Sequence, residues 1–139
     1  MKYLLLCLML LCSREAWADT VGDVEMLLRQ IRLGQTLPKF KWLKKLPPLD
    51  PGLDVWRGKL RNIEVVVESY TKSGKIFVCE LKVPGGDRTK ELLPAVTAVY
   101  GPPDPLKGVS YTWKKDHWYV AMTYWPQGKL TVVGVALSP

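Results

Sequence analysis

Histidine and carboxylates are the side chains that could perform acid–base chemistry in this sequence. The only histidine is His117, which stands between Asp116 and Trp118 near the start of an alternating segment. Nucleophilic catalysis also needs a hydroxyl or thiol within reach of the base and a third group that orients it. No Gly-x-Ser-x-Gly motif supports such a set, so we expect His117 to be a surface residue near a turn. The alternative is a small periplasmic hydrolase that uses His117 with a carboxylate.

Paired carboxylates could hydrolyse glycosides, and Glu64, Glu68 and Glu80 all fall in segments with strand periodicity. Alternation places Glu64 and Glu68 on one polar face near Lys75 and Lys82, where cross-strand ion pairs explain them. A zinc site needs three or four ligands, whereas His117 and Cys79 are the only histidine and cysteine that remain once the predicted signal peptide described below is removed. We therefore expect no catalytic set, no metal and no cofactor.

A basic and aromatic stretch between residues 39 and 45 could recognise negative charge. Lysines alternate there with apolar residues, in the order Lys39, Phe40, Lys41, Trp42, Leu43, Lys44 and Lys45. This pattern suits an anionic surface, such as lipid head groups or an acidic protein, and predicts that the four lysines and Trp42 contact it. In the competing interpretation, the apolar residues pin the loop to the core and the lysines remain solvated.

Aromatic residues on one predicted strand could bind a protein. In the segment 117–125, the even positions form the more continuous apolar set and should face the core. Tyr119, Thr123 and Trp125 would then lie on the opposite face, with Tyr70 beside them. Tyr and Trp among charged residues are typical of protein-binding surfaces. Alternatively, the loop 35–52 or a symmetric partner covers these aromatic residues.

Two kinds of periodicity define the elements that must hold these residues. Apolar spacings of three and four predict helices at 20–33 and 89–100. Pro94 would fit the second helix only in its first turn. The proline-rich stretch 35–52 is predicted to be an ordered loop. Alternation predicts strands at 53–59, 62–70, 75–83, 109–114, 117–125 and 129–137. In the third of these, Cys79 should share a buried face with Phe77 and Leu81.

The N-terminal 18 residues have the features of a cleavable export signal. Lys2 precedes a ten-residue apolar run, and Ala16-Trp17-Ala18 provides a cleavage site near Ala18. The predicted product, 19–139, is one periplasmic or secreted domain, with Cys79 as its single cysteine. Its net charge falls from +7 to +6 when Lys2, Arg14 and Glu15 are removed. Lipidation at Cys12 is an alternative, but Leu11 before it is bulky for the lipoprotein peptidase.

The predicted elements repeat as α-β-β-β in the ranges 19–83 and 87–139. Trp56 and Trp113 open corresponding hairpins, and the segments 74–78 and 128–132 both begin Gly-Lys. Neither unit can bury its apolar face alone. We therefore expect an α+β fold, in which two α-β-β-β units share one antiparallel sheet with both helices on one face.

The second unit resembles a known architecture. A helix that ends in Tyr100-Gly101-Pro102-Pro103 is followed by Tyr111-Thr112-Trp113 and by a hairpin with Gly128-Lys129-Leu130. This order is similar to the unit of the outer-membrane assembly lipoprotein BamE and, in tandem, to the β-lactamase inhibitor protein family. The resemblance implies helices packed on one sheet face and a protein-binding role.

These observations favour an exported, non-catalytic protein-binding module of the inhibitor, immunity or envelope-assembly type. Its expected partner is a protein of the cell envelope, and a homodimer is an alternative arrangement. Nucleic acid is disfavoured despite the positive charge, because the export signal removes the chain from the cytoplasm. Besides the hydrolase, the remaining alternative is a binder of anionic lipid or cell wall that uses the loop 39–45.

Overall fold

The computed structural model describes residues 20–106 and 108–138, so the predicted signal peptide lies outside the described residues. The first helix, α1, spans 20–30. It is followed by β1 (Leu43–Lys45), β2 (Leu53–Leu60), β3 (Ile63–Tyr70) and β4 (Ile76–Pro84). The second helix, α2 (Thr89–Tyr100), precedes β5 (Tyr111–Lys114), β6 (Trp118–Trp125) and β7 (Leu130–Leu137). The predicted α+β class, with two helices and an antiparallel sheet, is confirmed.

The strands form one seven-stranded sheet in the order β1-β2-β3-β4-β7-β6-β5. Every neighbouring pair is antiparallel. The two meanders β2-β3-β4 and β5-β6-β7 meet where β4 pairs with β7, with Leu81 opposite Val133. The sheet is therefore continuous across the middle of the molecule.

Both helices contribute to one core on one side of the sheet. Val24, Leu27 and Leu28 of α1 are fully buried, as are Leu92 and Val96 of α2. They belong to the same apolar cluster as the inward residues of the strands, which include Val65, Leu81, Trp113, Val120 and Met122. We call the side covered by the helices the inner face and the opposite side the outer face.

The facing of β6 follows the predicted alternation. Val120 and Met122 are fully buried on the inner face. The residues between and beside them point outward, and Tyr119 and Trp125 are exposed. The prediction that even positions of this strand face the helices is therefore confirmed for its central residues.

The prediction that Phe77 shares a buried face with Cys79 is wrong, because β4 contains a β-bulge. Glu68 pairs with Val78 and Ser69 pairs with Ile76, which leaves Phe77 as an extra residue. A bulge places two consecutive side chains on the same side of a strand. Ile76 and Cys79 consequently both enter the core, whereas Phe77 turns to the outer face and stacks on Tyr70 at 4.6 Å.

Two further expectations differ from the structure. Pro94 lies in the second turn of α2 rather than the first, but it is exposed, so the backbone carbonyl of Lys90 that loses its helical partner can bind water. The stretch 35–52 is not wholly irregular, because Leu43–Lys45 adds β1 to the edge of β2. Among the described residues, no helix has the length and apolarity needed to cross a bilayer.

Candidate functional site

The outer face of β2, β3 and β4 carries alternating charges. We call this surface the charged half; its charged residues are Arg57, Lys59, Glu64, Glu68, Glu80 and Lys82. Arg57 Nε lies 3.5 Å from Glu64 Oε1, and Lys82 Nζ lies 3.7 Å from Glu80 Oε1. Glu64 also faces Lys82 in register. Opposite charges that lie close together on one sheet face, on the same strand or on neighbouring strands, attract one another, so these side chains compensate one another.

The outer face of β6 and β7 contains no charged residue. We call this surface the uncharged half; it consists of Tyr119, Ala121, Thr123, Trp125, Leu130, Val132, Gly134 and Ala136. Tyr119 is 41% exposed and Trp125 is 49% exposed. Lys114 of β5 lies directly opposite Tyr119, and exposed large aromatic side chains with few charges beside them are typical of protein-binding surfaces. This half therefore provides the apolar area that the charged half lacks.

Small residues form the floor of the uncharged half between its two large aromatic side chains. Ala121 lies opposite Gly134, and Tyr119 lies opposite Ala136. Tyr119 and Trp125 are six residues apart on one strand, which corresponds to roughly 20 Å. The surface is therefore a shallow floor with a large side chain at each end. It can accept an extended or helical segment of a partner laid along β6.

Tyr70 does not join the other predicted partner-binding residues. It lies on β3, three strands from β6, which corresponds to about 14 Å. Its ring stacks on Phe77 and is 44% exposed. The structure thus brings Tyr119, Thr123 and Trp125 together on β6 and places Tyr70 in a separate aromatic pair. Thr123 is held in place by a 2.7 Å hydrogen bond between its hydroxyl and that of Ser110.

The predicted basic loop lies at the opposite edge of the sheet. Lys39, Lys41, Lys44 and Lys45 are all exposed. Trp42 packs against the core and lies 4.9 Å from the ring of Phe40. Lys45 Nζ is 3.4 Å from Asp54 Oδ1. The aromatic residues therefore anchor the loop, and the lysines point away from the core.

A close backbone contact joins this loop to the sheet. A Cβ atom at Gly58 would lie 2.1 Å from the carbonyl oxygen of Trp42, far inside van der Waals contact. Only a residue without a side chain permits the loop to approach β2 this closely. A cavity of about 170 Å³ remains beneath the loop, lined by Leu37, Pro38, Lys39, Phe40, Leu43 and Trp56. Nothing in the local periodicity predicted this cavity, because it depends on how the loop crosses the sheet.

A smaller cavity of about 70 Å³ lies near the C-terminal ends of the two helices, where Arg32, Tyr100 and Trp118 contribute to its lining. The Arg32 guanidinium carbon is 5.4 Å from the centre of the Tyr100 ring, and Trp118 packs against the same ring at 5.1 Å. Burial raises the pKa of Tyr100 to about 12, against the opposing charge of Arg32. Tyr100 therefore remains neutral at physiological pH.

Of the residues considered for catalysis, Glu64, Glu68 and Glu80 belong to the charged half, whereas His117 and Cys79 lie apart from the two halves of the outer face. His117 is exposed on the turn between β5 and β6. Cys79 is buried in the core, and desolvation, aided by the charge of Glu80, raises its pKa to about 12. Within 20–106 and 108–138, no group of three or more His, Cys, Asp and Glu side chains is placed to hold a metal ion.

No protein-family model matches the chain, and no curated protein or solved structure matches it either. The structure defines the class of the protein as α+β, with two helices on a seven-stranded antiparallel sheet. The two halves of the outer face and the lysine-rich edge are the features from which its function can be inferred.

Proposed function

We propose that the protein is an exported, non-catalytic module that binds a protein of the cell envelope through the uncharged half of its outer face. The observation that carries this proposal is the exposure of Tyr119 and Trp125 on one strand, with no charged side chain among the outward residues of β6 and β7. Aromatic residues of this kind dominate the binding energy of many protein interfaces. Inhibitor, immunity and envelope-assembly roles would each use a surface that binds a partner protein.

The order of the strands is consistent with two similar α-β-β-β units, the architecture that the sequence resemblance implies. Three strands follow α2, and three long strands precede it, with β4 and β7 adjacent at the centre. We interpret the chain as two α-β-β-β units, 19–83 and 87–139, related to the BamE and β-lactamase inhibitor architecture. This relation would favour protein binding, because both families act by binding other proteins.

The charged half supports the choice of β6 and β7 as the interface. Removing ionised side chains from water is costly unless each one is paired in the complex. The uncharged half presents no such cost, since its polar hydroxyl at Thr123 already has a partner in Ser110. A partner would therefore gain more by covering β6 and β7 than by covering β2 to β4.

Capture of a partner from envelope extract tests the proposal. The bait is the purified protein, and the test variant is Tyr119→Ala/Trp125→Ala, which removes both exposed aromatic side chains of β6. The matched control is Tyr70→Ala/Phe77→Ala, which removes the aromatic pair of the charged half. We expect one envelope protein to be retained by the wild type and the control but lost by the β6 variant.

Two results would contradict this interface. Retention by the β6 variant together with loss by the control would move the binding surface to the charged half. A concentration-dependent dimer in light scattering, abolished by Tyr119→Ala/Trp125→Ala, would show that a second copy covers the uncharged half instead. Turnover of a substrate that disappears in His117→Ala would favour the hydrolase alternative.

A further inference from the structure

The β1 edge of the molecule exposes an apolar side chain at the tip of a stiff loop. Leu49 is 87% exposed, which is far more than the other large apolar residues of this edge. It follows Pro47 and Pro48, whose rings fix the backbone and limit the motion of the loop. A turn leads from this loop into β2, and the backbone amide of Leu53 closes it by donating a hydrogen bond to the carbonyl of Asp50. Exposing a leucine side chain to water is unfavourable, and transferring it into an apolar phase lowers the free energy.

Lysines precede this leucine along the chain. No aspartate or glutamate occurs from residue 26 to residue 49, a segment that contains Lys39, Lys41, Lys44 and Lys45. Lys45 pairs with Asp54, whereas Lys39, Lys41 and Lys44 have no ion-pair partner in the part of the chain that the structure describes. Three uncompensated positive charges therefore lie on the edge that ends in Leu49.

The loop that carries these lysines is packed against the core. Leu43 is buried, Phe40 and Trp42 pack on the core, and the backbone of Trp42 touches the sheet at Gly58. A preformed site loses little conformational entropy when it binds. The lysines and the leucine therefore present a fixed combination of positive charge and exposed apolar surface.

We propose that residues 39–49 dock the protein onto a bilayer that contains anionic phospholipid. Leu49 enters the boundary between head groups and acyl chains, and Lys39, Lys41 and Lys44 contact lipid phosphates. Basic residues around an inserted apolar side chain are the combination that peripheral membrane proteins use. A bilayer fits better than an acidic protein because the charge accompanies a single protruding leucine rather than a broad apolar surface.

This docking does not depend on the proposed protein interface and would leave that interface accessible. β1 and β6 are five strand spacings apart, which corresponds to about 24 Å. A bilayer that contacts the β1 edge would thus lie well away from Tyr119 and Trp125. The protein could present the uncharged half of its outer face to a partner while it remains at the membrane surface.

Vesicle co-sedimentation tests the proposal. The full chain is expressed, and mass spectrometry confirms that every purified variant begins at the same residue. Vesicles contain phosphatidylcholine alone or with about 30 mol% phosphatidylglycerol, and NaCl is varied from about 0.1 to about 0.5 M. We expect binding only to the anionic vesicles, and we expect it to weaken as salt rises.

Charge-reversal variants separate a specific edge from the net charge of the protein. Lys39→Glu/Lys41→Glu should weaken vesicle binding at least tenfold, since each lysine near an anionic bilayer contributes roughly fivefold. The matched control is Lys114→Glu/Lys115→Glu, which makes the same change in charge at exposed positions of the β5 edge. The control should remain within about threefold of the wild type, because its charges lie beyond the screening length. Equal losses in the two variants would overturn the proposal.

Changes at the tip test insertion. Leu49→Ser should weaken binding several-fold, and the loss should persist at high salt because apolar burial is not screened. Asp50→Asn should strengthen binding, because it removes the carboxylate next to the inserted residue. Unchanged binding of Leu49→Ser, combined with equally tight binding of the wild type to soluble poly-aspartate, would identify an acidic macromolecule as the ligand and overturn the membrane assignment.

Discussion

The two halves of the outer face differ although they belong to one continuous sheet. In β2, β3 and β4 the outward positions hold acids and bases that pair with one another, as Arg57 does with Glu64. In β6 and β7 the outward positions hold aromatic, aliphatic and hydroxyl side chains and one glycine. The charged half is thus satisfied by its own neighbours and water, whereas the uncharged half gains stability only when something covers it. One continuous sheet therefore carries two outer surfaces of different chemistry.

Glycines on β2 and β7 give the largest expected difference between the two sides of the sheet. In Gly58→Ala, the new Cβ would meet the Trp42 carbonyl, so we expect a loss of about 1–3 kcal/mol in unfolding free energy. In Gly134→Ala, a Cβ meets nothing within 4 Å, so we expect no loss and a small gain in strand stability. Urea unfolding measures both variants. Equal effects would show that the loop does not depend on its contact with β2.

A lysine placed on each half sharpens the assignment of the interface. Val66 and Ala121 lie in the same row of the sheet, one in each half. Ala121→Lys should weaken partner binding at least tenfold, or about 1.4 kcal/mol, because it buries an unpaired charge. Val66→Lys should leave binding within about threefold, which corresponds to less than 1 kcal/mol. Titration calorimetry with the captured partner distinguishes the two halves, and the reverse ranking would exchange their roles.

The connection between β4 and α2 should be weakened by removing a carboxylate. Asp87 Oδ1 accepts hydrogen bonds from the backbone amide and the hydroxyl of Thr89 at 3.1 and 2.7 Å. Asp87→Ala should cost about 0.5–1 kcal/mol, the low end for a helix-start residue, because the carboxylate is solvent-screened. Thermal unfolding at neutral pH measures this loss.

The contribution of Asp87 should depend on pH. Hydrogen bonds from Thr89 hold the pKa of Asp87 below its usual value of 3.8. A lowered folded-state pKa means that the stabilisation is complete above the unfolded-state value and disappears as pH falls through the folded-state pKa. The difference between the wild type and Asp87→Ala should therefore be constant at neutral pH and shrink below about pH 4. A difference that grew on acidification would contradict this assignment.

The smallest expected effect concerns a single ion pair of the charged half. Glu64→Gln removes the partner of Arg57, but both side chains are partly exposed. Exposed pairs of this kind contribute little, so the unfolding free energy should fall by less than about 0.5 kcal/mol and the loss should vanish at high salt. A loss above about 1 kcal/mol would mean that the charged half is a cooperative network rather than a solvated surface.

Much of the architecture could be predicted from periodicity alone. The strand expected at 62–70 is β3, Ile63–Tyr70, and the helix expected at 89–100 is α2, Thr89–Tyr100. Alternation also gave the correct inner residues of β6, because a half-buried strand separates apolar and exposed positions by a period of two. The period of the apolar residues reflects which side chains are buried, and this burial stabilises the helices and strands.

Features that depend on a change of register could not be predicted in this way. Local alternation places Phe77 with Cys79, and only the pairing with Glu68 and Ser69 shows the extra residue. The same limit applies to β1, which pairs with β2 through only three residues of a proline-rich segment. The sequence groups Tyr70 with Tyr119 by residue type alone, because it does not give the distance between their two strands.

The seam between β4 and β7 has a consequence for the order of folding. Residues paired across it are separated by 46 positions at Pro84–Leu130 and by 58 positions at Val78–Ala136. The hairpins of β2-β3-β4 and β5-β6-β7 close over much shorter stretches of chain. Because long-range pairing must overcome a larger loss of chain entropy, we expect the two meanders to form early and the seam to close late. The last step of folding would then be the one that joins the charged and uncharged halves into a single surface.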